Sequence, residues 1–334
     1  MSIKINEIAA KMKELFSNEM TRKSFLKTFL AALGILAVSS KSAKKAFAQN
    51  TKGINPRTKR TTPATNFDLT AITGNDPAAI TRRSVELLGG MGKFIKKGDI
   101  VSIKPNMSWN LTPEYAANTN PAVVAAVVKM CIESGAKTVK VFDNTLNDRK
   151  SSYENSGIMA AAKAAGAQVF YMDDFRFAPA KFPNKNAVLQ DFMLSVDAVN
   201  CDVLISVPVA KHHGQAQLSL GMKNLIGLMG KDRGQIHWKL SESICELNEF
   251  FKPDLYIIDA NAIITAHGPR GGNLSDVVKK NTVAASSDGV LADAYSAKTF
   301  FNKEPQSIAY IDLASKRKIG SMNLSAAKIK TERI

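Results

Sequence analysis

The 334-residue chain has only three cysteines and four histidines. Three cysteines exclude a disulfide scaffold, a four-cysteine cluster and a zinc ribbon. Cys131, Cys201 and Cys245 fall in or beside apolar segments and read as buried, inert thiols. Aromatic residues make up 7%, against 45% hydrophobic and 22% charged residues, an ordinary globular balance that excludes wholesale disorder, collagen and coiled coil. Long apolar runs are missing. The longest uncharged stretch near the N-terminus, Thr28 to Ser40, is about 13 residues, short of the ~20 that span a bilayer. Several chemical signatures are also absent. No G-x-G-x-x-G follows a strand, no G-x-S-x-G elbow occurs, and there is no H-E-x-x-H. The run Gly227 to Asp232 looks like part of a phosphate loop but has the wrong spacing and no Ser or Thr after Lys231.

Positive charge is abundant but unevenly placed. Of a net +16, residues 1–66 carry 13 Lys/Arg against 3 Asp/Glu, and the remainder carries 32 against 26. The basicity sits in an N-terminal extension, and the body mixes both signs. A nucleic-acid partner is therefore not expected.

The extension has the parts of an export signal. A basic segment at Thr21-Arg22-Lys23-Ser24-Phe25-Leu26-Lys27 precedes the short apolar run, and Ala46-Phe47-Ala48 offers a small-x-small end. The motif resembles a twin-arginine signal, with Arg22 followed by Lys23 instead of a second arginine and then by Phe25-Leu26. An alternative is an amphipathic helix, since Ile5, Ile8, Met12, Leu15 and Phe16 fall at helical spacing. On the signal reading, residues 1–48 are a leader cut after Ala48, 49–69 a linker, and 70–334 the folded domain. The twin-arginine export machinery is then a partner, and the protein is periplasmic or otherwise extracytoplasmic. Membrane contact comes only through the signal segment, which stays as an anchor if it is not cut.

The body alternates helix and strand patterns. Helices are expected at 78–88, 121–134, 157–165, 240–251 and 289–301, several opened by Asp, Asn or Pro and closed by Gly. Strands are expected at 99–104, 138–142, 168–172, 203–207, 255–258 and 282–285, and 175–196 as a hairpin or edge excursion. This order predicts an α/β fold, a mainly parallel sheet with helices on both faces.

Ligands of such sheets sit beyond the carboxyl ends of the strands, and polar residues gather there in this chain. Lys104 and Asn106 follow one strand, Asp143 another, Lys211-His212-His213 a third, and Asp259 a fourth, with His267 and Arg270 beyond it. Thr119-Asn120-Pro121 opens a helix whose free N–H groups attract an anion. The candidate ligand-binding residues are Lys104, Asn106, Thr119, Asn120, Lys211, Lys223, Asn224 and Arg270. The candidate acid/base groups are His212 and His267, oriented by Asp259. The four histidines, His212, His213, His237 and His267, are also the candidate metal ligands, although their spacing matches no established metal motif.

Together, Lys104-Pro105-Asn106, Thr119-Asn120-Pro121, Val207-Pro208-Val209-Ala210-Lys211-His212-His213, Gly221-Met222-Lys223-Asn224-Leu225-Ile226-Gly227 and Ser287-Asp288-Gly289-Val290-Leu291-Ala292-Asp293 resemble the DUF362 family over residues 70–305. Many members carry ferredoxin-like cysteine motifs; this chain has none, so no iron–sulfur cluster is expected from its own cysteines and the cofactor is left open. The family supplies no reaction. The expected role is to bind or transform an anionic small molecule or cofactor. The alternatives are a non-catalytic periplasmic accessory protein for an electron-transfer or metal-cofactor pathway, or a His-ligated metalloprotein.

Overall fold

The computed structural model describes residues 53–61, 63–231 and 233–334. The leader readings, Arg22, Lys23, Phe25, Leu26 and the cut after Ala48, lie outside the described residues.

In chain order the elements are β1 (Leu69–Thr73), α1 (Pro77–Leu88), β2 (Ile100–Pro105), α2 (Pro121–Glu133), β3 (Thr138–Val141), α3 (Arg149–Asn155), α4 (Ile158–Ala164), β4 (Gln168–Val169), β5 (Phe177–Pro179), β6 (Met193–Ser195), α5 (Val196–Val199), β7 (Val203–Val207), β8 (Val209–His213), β9 (Gln217–Ser219), α6 (Leu240–Phe251), β10 (Leu255–Ile264), β11 (Val277–Ser286), α7 (Gly289–Phe301), α8 (Ala309–Lys316) and β12 (Ile329–Arg333). The main sheet runs β12-β1-β11-β10-β7-β2-β3-β4, with β8 and β9 joined to β10. The pairs from β10 through β7, β2 and β3 to β4 are all parallel, while β11 is antiparallel to both β10 and β1. The chain therefore has the expected α/β fold with a mainly parallel sheet.

Period-two alternation divides the strands between two cores. Val101, Ile103, Val203, Ile205, Leu255 and Ile257 pack with α1, α2 and α4. Leu204, Tyr256 and Ile258 pack on the other face with α6, α7 and α8. Helix ends follow the expected chemistry. The Asp76 side chain accepts from Ala78 N at 2.8 Å to open α1, and Gly89 at φ 112° closes it.

Pro208 breaks what would otherwise be one long strand. Proline has no N–H for the ladder, so β7 stops at Val207 and β8 resumes along β10, where Val209 lies opposite Asp259. The break carries Lys211 and the His212-His213 pair past the carboxyl edge of the sheet.

The structure departs from the sequence reading in several places. β10 runs on to Ile264, through Asp259 and Asn261, where the apolar pattern ended. β4 shrinks to two residues, and β5 with β6 forms the hairpin anticipated within 175–196. The described part of the expected linker is packed against the domain. Ile54 N donates to Pro179 O at 2.8 Å. Arg57, 1% exposed, pairs with Asp254 at 2.7 Å and donates to the carbonyls of Asp202 and Lys252 at 2.5 and 2.9 Å. A polar, proline-containing composition cannot show partners nearly 200 residues away. Among the described residues no helix is long and apolar enough to cross a membrane.

Candidate functional site: a cationic cavity at the carboxyl edge

Lys104 sits at the end of β2, on the pleat face of Ser102 and opposite Ser206 of β7. Its ammonium lies 2.9 Å from Asp143 Oδ1, and both side chains are almost wholly buried. Asp143 follows β3, and its other oxygen accepts from Met107 N at 2.8 Å and from Ser108 Oγ at 3.1 Å. Asn224 closes the cluster. Its carbonyl accepts from Lys104 Nζ at 2.6 Å, and its amide donates to Lys104 O at 2.9 Å and Ser206 Oγ at 3.1 Å. Burial draws the Lys104 pKa down, and the Asp143 charge opposes that.

Gly227 explains the glycine after Lys223-Asn224. A Cβ there would stand 1.9 Å from Asp143 Oδ1 and 2.5 Å from Lys104 Cε. The backbone of the 3₁₀ turn at 223–228 rests directly on the ion pair, and only a residue without a side chain permits it. The stretch that resembled a phosphate loop thus packs on an internal ion pair.

Among the described residues the other cations pair with no carboxylate. Lys211, on β8 and 1% exposed, donates to Ala117 O at 2.6 Å and Asn106 Oδ1 at 3.2 Å. Burial, then the nearby Lys223 and Lys104, holds its pKa well below the usual value. The Lys223 ammonium makes no hydrogen bond or ion pair among the described residues. Burial, followed by Lys104 and Arg233, brings its pKa to about 7. Arg233 is anchored to the carbonyls of Asn144 and Thr145, each at 2.5 Å. His213 Nδ1 accepts from Ala216 N at 3.1 Å, so the neutral ring carries its hydrogen on Nε2. Burial, with Lys223 and Lys211, pushes its pKa down to about 3.

These groups line a cavity of about 190 Å³, with Trp109, Leu146, Ile226 and Pro269 supplying apolar wall. Lys104, Lys211, Lys223 and Arg233 all face it, and no Asp or Glu lines it among the described residues. Of the residues singled out from sequence, Lys104, Asn106, Lys211, Lys223 and Asn224 come together here, with His213 and His237.

Others do not. Asp259 is buried, with one oxygen accepting from Asn120 N at 2.7 Å and the other from Asn261 N and Nδ2 at 3.0 and 2.8 Å. The anion expected at the start of α2 is therefore the chain's own carboxylate, and Asp259 orients neither His212 nor His267. Asn120 itself caps α2 through Ala122 N at 2.9 Å. Thr119 donates to Val207 O at 2.7 Å and accepts from Asn106 N at 2.9 Å, so it clamps strand ends. His267 is 81% exposed outside the cavity, and its Nδ1 lies 3.0 Å from Asp276. His212 Nδ1 accepts from Gly268 N at 3.2 Å; its neighbour His213 takes the cavity side, as alternation along a strand requires. Arg270 is exposed and lies off the cavity. Among the described residues no group of three His, Cys, Asp or Glu side chains is placed to hold a metal. Arg233 and Trp109 were not anticipated. Arg233 follows the glycine-rich turn, and that position was the only sequence signal for it.

The sequence profile of the DUF362 domain of unknown function matches residues 101–298, more than half of the chain. The chain belongs to the DUF362 family. A thylakoid-associated protein of Synechocystis is 29% identical over 259 residues, covering 75% of this chain and 77% of that protein. Among solved structures, the lactate racemase apoprotein of Thermoanaerobacterium thermosaccharolyticum aligns at 14% identity and a TM-score of 0.41, covering 70% of this chain and 58% of that one. A Thermotoga maritima protein aligns at 12% identity and a TM-score of 0.38, covering 72% and 60%. The chain thus spans less than two thirds of either solved structure.

In this DUF362 chain the family-like blocks converge on one support. Asp288 caps α7 through Val290 N and Leu291 N at 2.8 and 3.0 Å. Asp293, wholly buried and raised by burial to about 7, accepts from Gly221 N at 2.7 Å and Met222 N at 3.0 Å. Those two N–H groups immediately precede Lys223, so Asp293 fixes the start of the turn that carries it.

Proposed function

We propose that this DUF362 protein is exported and binds, or transforms, an anionic small molecule in the cavity at the carboxyl edge of its sheet. One observation carries the reading: four cationic side chains face the cavity, and none of its described lining residues is acidic. A buried ammonium without a counter-charge carries a desolvation penalty of roughly several kcal/mol. An entering carboxylate or phosphate offsets that penalty for Lys211 and Lys223 together. Lys104, already paired with Asp143 and Asn224, fixes the floor. The Nε2–H of neutral His213 offers a donor that adds no charge. About 190 Å³ suits a small acid and is tight for a nucleotide.

The test is thermal unfolding of the folded chain in phosphate, sulfate or small carboxylates against chloride at equal ionic strength. A specific rise in midpoint is expected in at least one of them, together with its loss in Lys211→Met and Lys223→Met. An equal response of wild type and both variants rejects the site.

The leader motif and the thylakoid-associated relative support an extracytoplasmic or membrane-associated setting. Mass spectrometry of the exported protein should find a mature N-terminus at Gln49; only full-length chain would reject cleavage. The metalloprotein reading is less favoured. His213 and His237 face the cavity, whereas His212 and His267 are turned to Gly268 and Asp276.

A further inference from the structure

The three lysines of the cavity are not equivalent. Lys104 is held by Asp143 and Asn224, and Lys211 by Ala117 O and Asn106. Both nitrogens are committed as hydrogen-bond donors. Lys223 faces the same cavity with no partner among the described residues, on a turn secured by Asp293 and by the contact of Gly227 with the ion pair. A desolvated amine beside the fixed cations of Lys104 and Arg233 is the arrangement that makes a lysine nucleophilic toward carbonyl carbon. Immobile cations alongside it suit a substrate that carries its own negative charge.

We infer that Lys223 forms an imine with a small anion bearing an aldehyde or ketone, an oxo acid, whose carboxylate rests between Lys211 and Arg233. This deepens the anion-binding reading and rests on it. In the step, the Lys223 amine adds to the carbonyl carbon, a C–N bond forms, and the carbonyl oxygen departs as water. Overall, the ammonium and the carbonyl give a protonated imine and water, with no oxidant or reductant. Proton transfers fall to His237 and the amine itself, while the neutral imidazole of His213 donates a hydrogen bond from Nε2. The lowered basicity of Lys223, to about 7, leaves a large share of the amine free near neutrality. An exposed lysine there has only about one amine in a thousand unprotonated.

The experiment incubates the folded chain with pyruvate or glyoxylate and cyanoborohydride near pH 7.5, then maps adducts by peptide mass spectrometry. Labelling at Lys223 is expected roughly several hundredfold faster than at exposed lysines, a ratio set by their amine fractions. It should be slowed by phosphate or lactate and absent in Lys223→Arg, with Lys211 unlabelled. Adducts spread evenly over surface lysines, or none at Lys223, overturn the imine. If lactate or phosphate still raises the unfolding midpoint in that case, the anion site stands and only the covalent step falls. If neither anion does, both readings fall together.

Discussion

Among the described residues, Asp143 is the one carboxylate paired with a lysine of the cavity, so its removal is the sharpest probe of the cavity's electrostatics. In Asp143→Ala, Lys104 loses its partner at 2.9 Å while staying almost fully buried, and Met107 N and Ser108 Oγ lose their acceptor. Deleting one member of a buried pair costs about 3–5 kcal/mol, because the remaining charge is left uncompensated. At roughly 2–4 °C per kcal/mol for a domain of this size, the melting midpoint should fall by on the order of 10 °C. Adding Lys104→Met to Asp143→Ala should recover much of that loss, because the stranded charge goes with it. Phosphate should stabilise Asp143→Ala more than wild type, since three lysines would then lack any carboxylate. Thermal and denaturant unfolding of the two single variants and the double variant, with and without phosphate, reads all three effects. If Asp143→Ala unfolds within about 0.5 kcal/mol of wild type, or the double variant is no more stable than Asp143→Ala, the pair is not carrying the cavity floor.

Gly227→Ala places a methyl group 1.9 Å from Asp143 Oδ1, so the turn must lift; a loss of about 1–3 kcal/mol in chemical unfolding is expected, together with weakened anion binding. Lys223, lowered to about 7 in the folded chain, binds fewer protons there than when unfolded between pH 7 and about 10.4. Stability should therefore rise with pH across that window, and Lys223→Met should flatten the rise in unfolding free energies measured from pH 7 to 10. Arg57→Ala strands Asp254 and frees carbonyls that now accept from the guanidinium, so a loss of about 3–5 kcal/mol is expected by denaturant titration; a loss under 1 kcal/mol would return this segment to the role of a linker.

The layout of the body was legible because its signals are local. Apolar runs marked Val203–Val207 and Leu255–Ile258, and Asp76 and Asn120 marked helix starts. The gathering of polar residues at strand ends brought Lys104 and Lys211 to notice, Lys223 and Asn224 stood out before the glycines that follow, and the fold places these four at one cavity. What stayed hidden depended on distant partners. Residue type alone cannot tell an Asp that helps bind a ligand from Asp259, which accepts from the N–H of Asn120, 139 residues away. Of two adjacent histidines, only the strand's register decides that His213 turns inward. Arg57 looked like one more charge in a basic linker because the carbonyls that bind it come from β-strand and helix ends elsewhere in the chain.

The imidazole of His213 stays uncharged down to about pH 3, and Lys223 changes state near 7. Acidification through neutrality therefore adds positive charge at Lys223 while the His213 donor is unaltered. If the cavity takes an acid as proposed, an acidic compartment would tighten its grip and an alkaline one would loosen it, so that occupancy would follow the proton concentration outside.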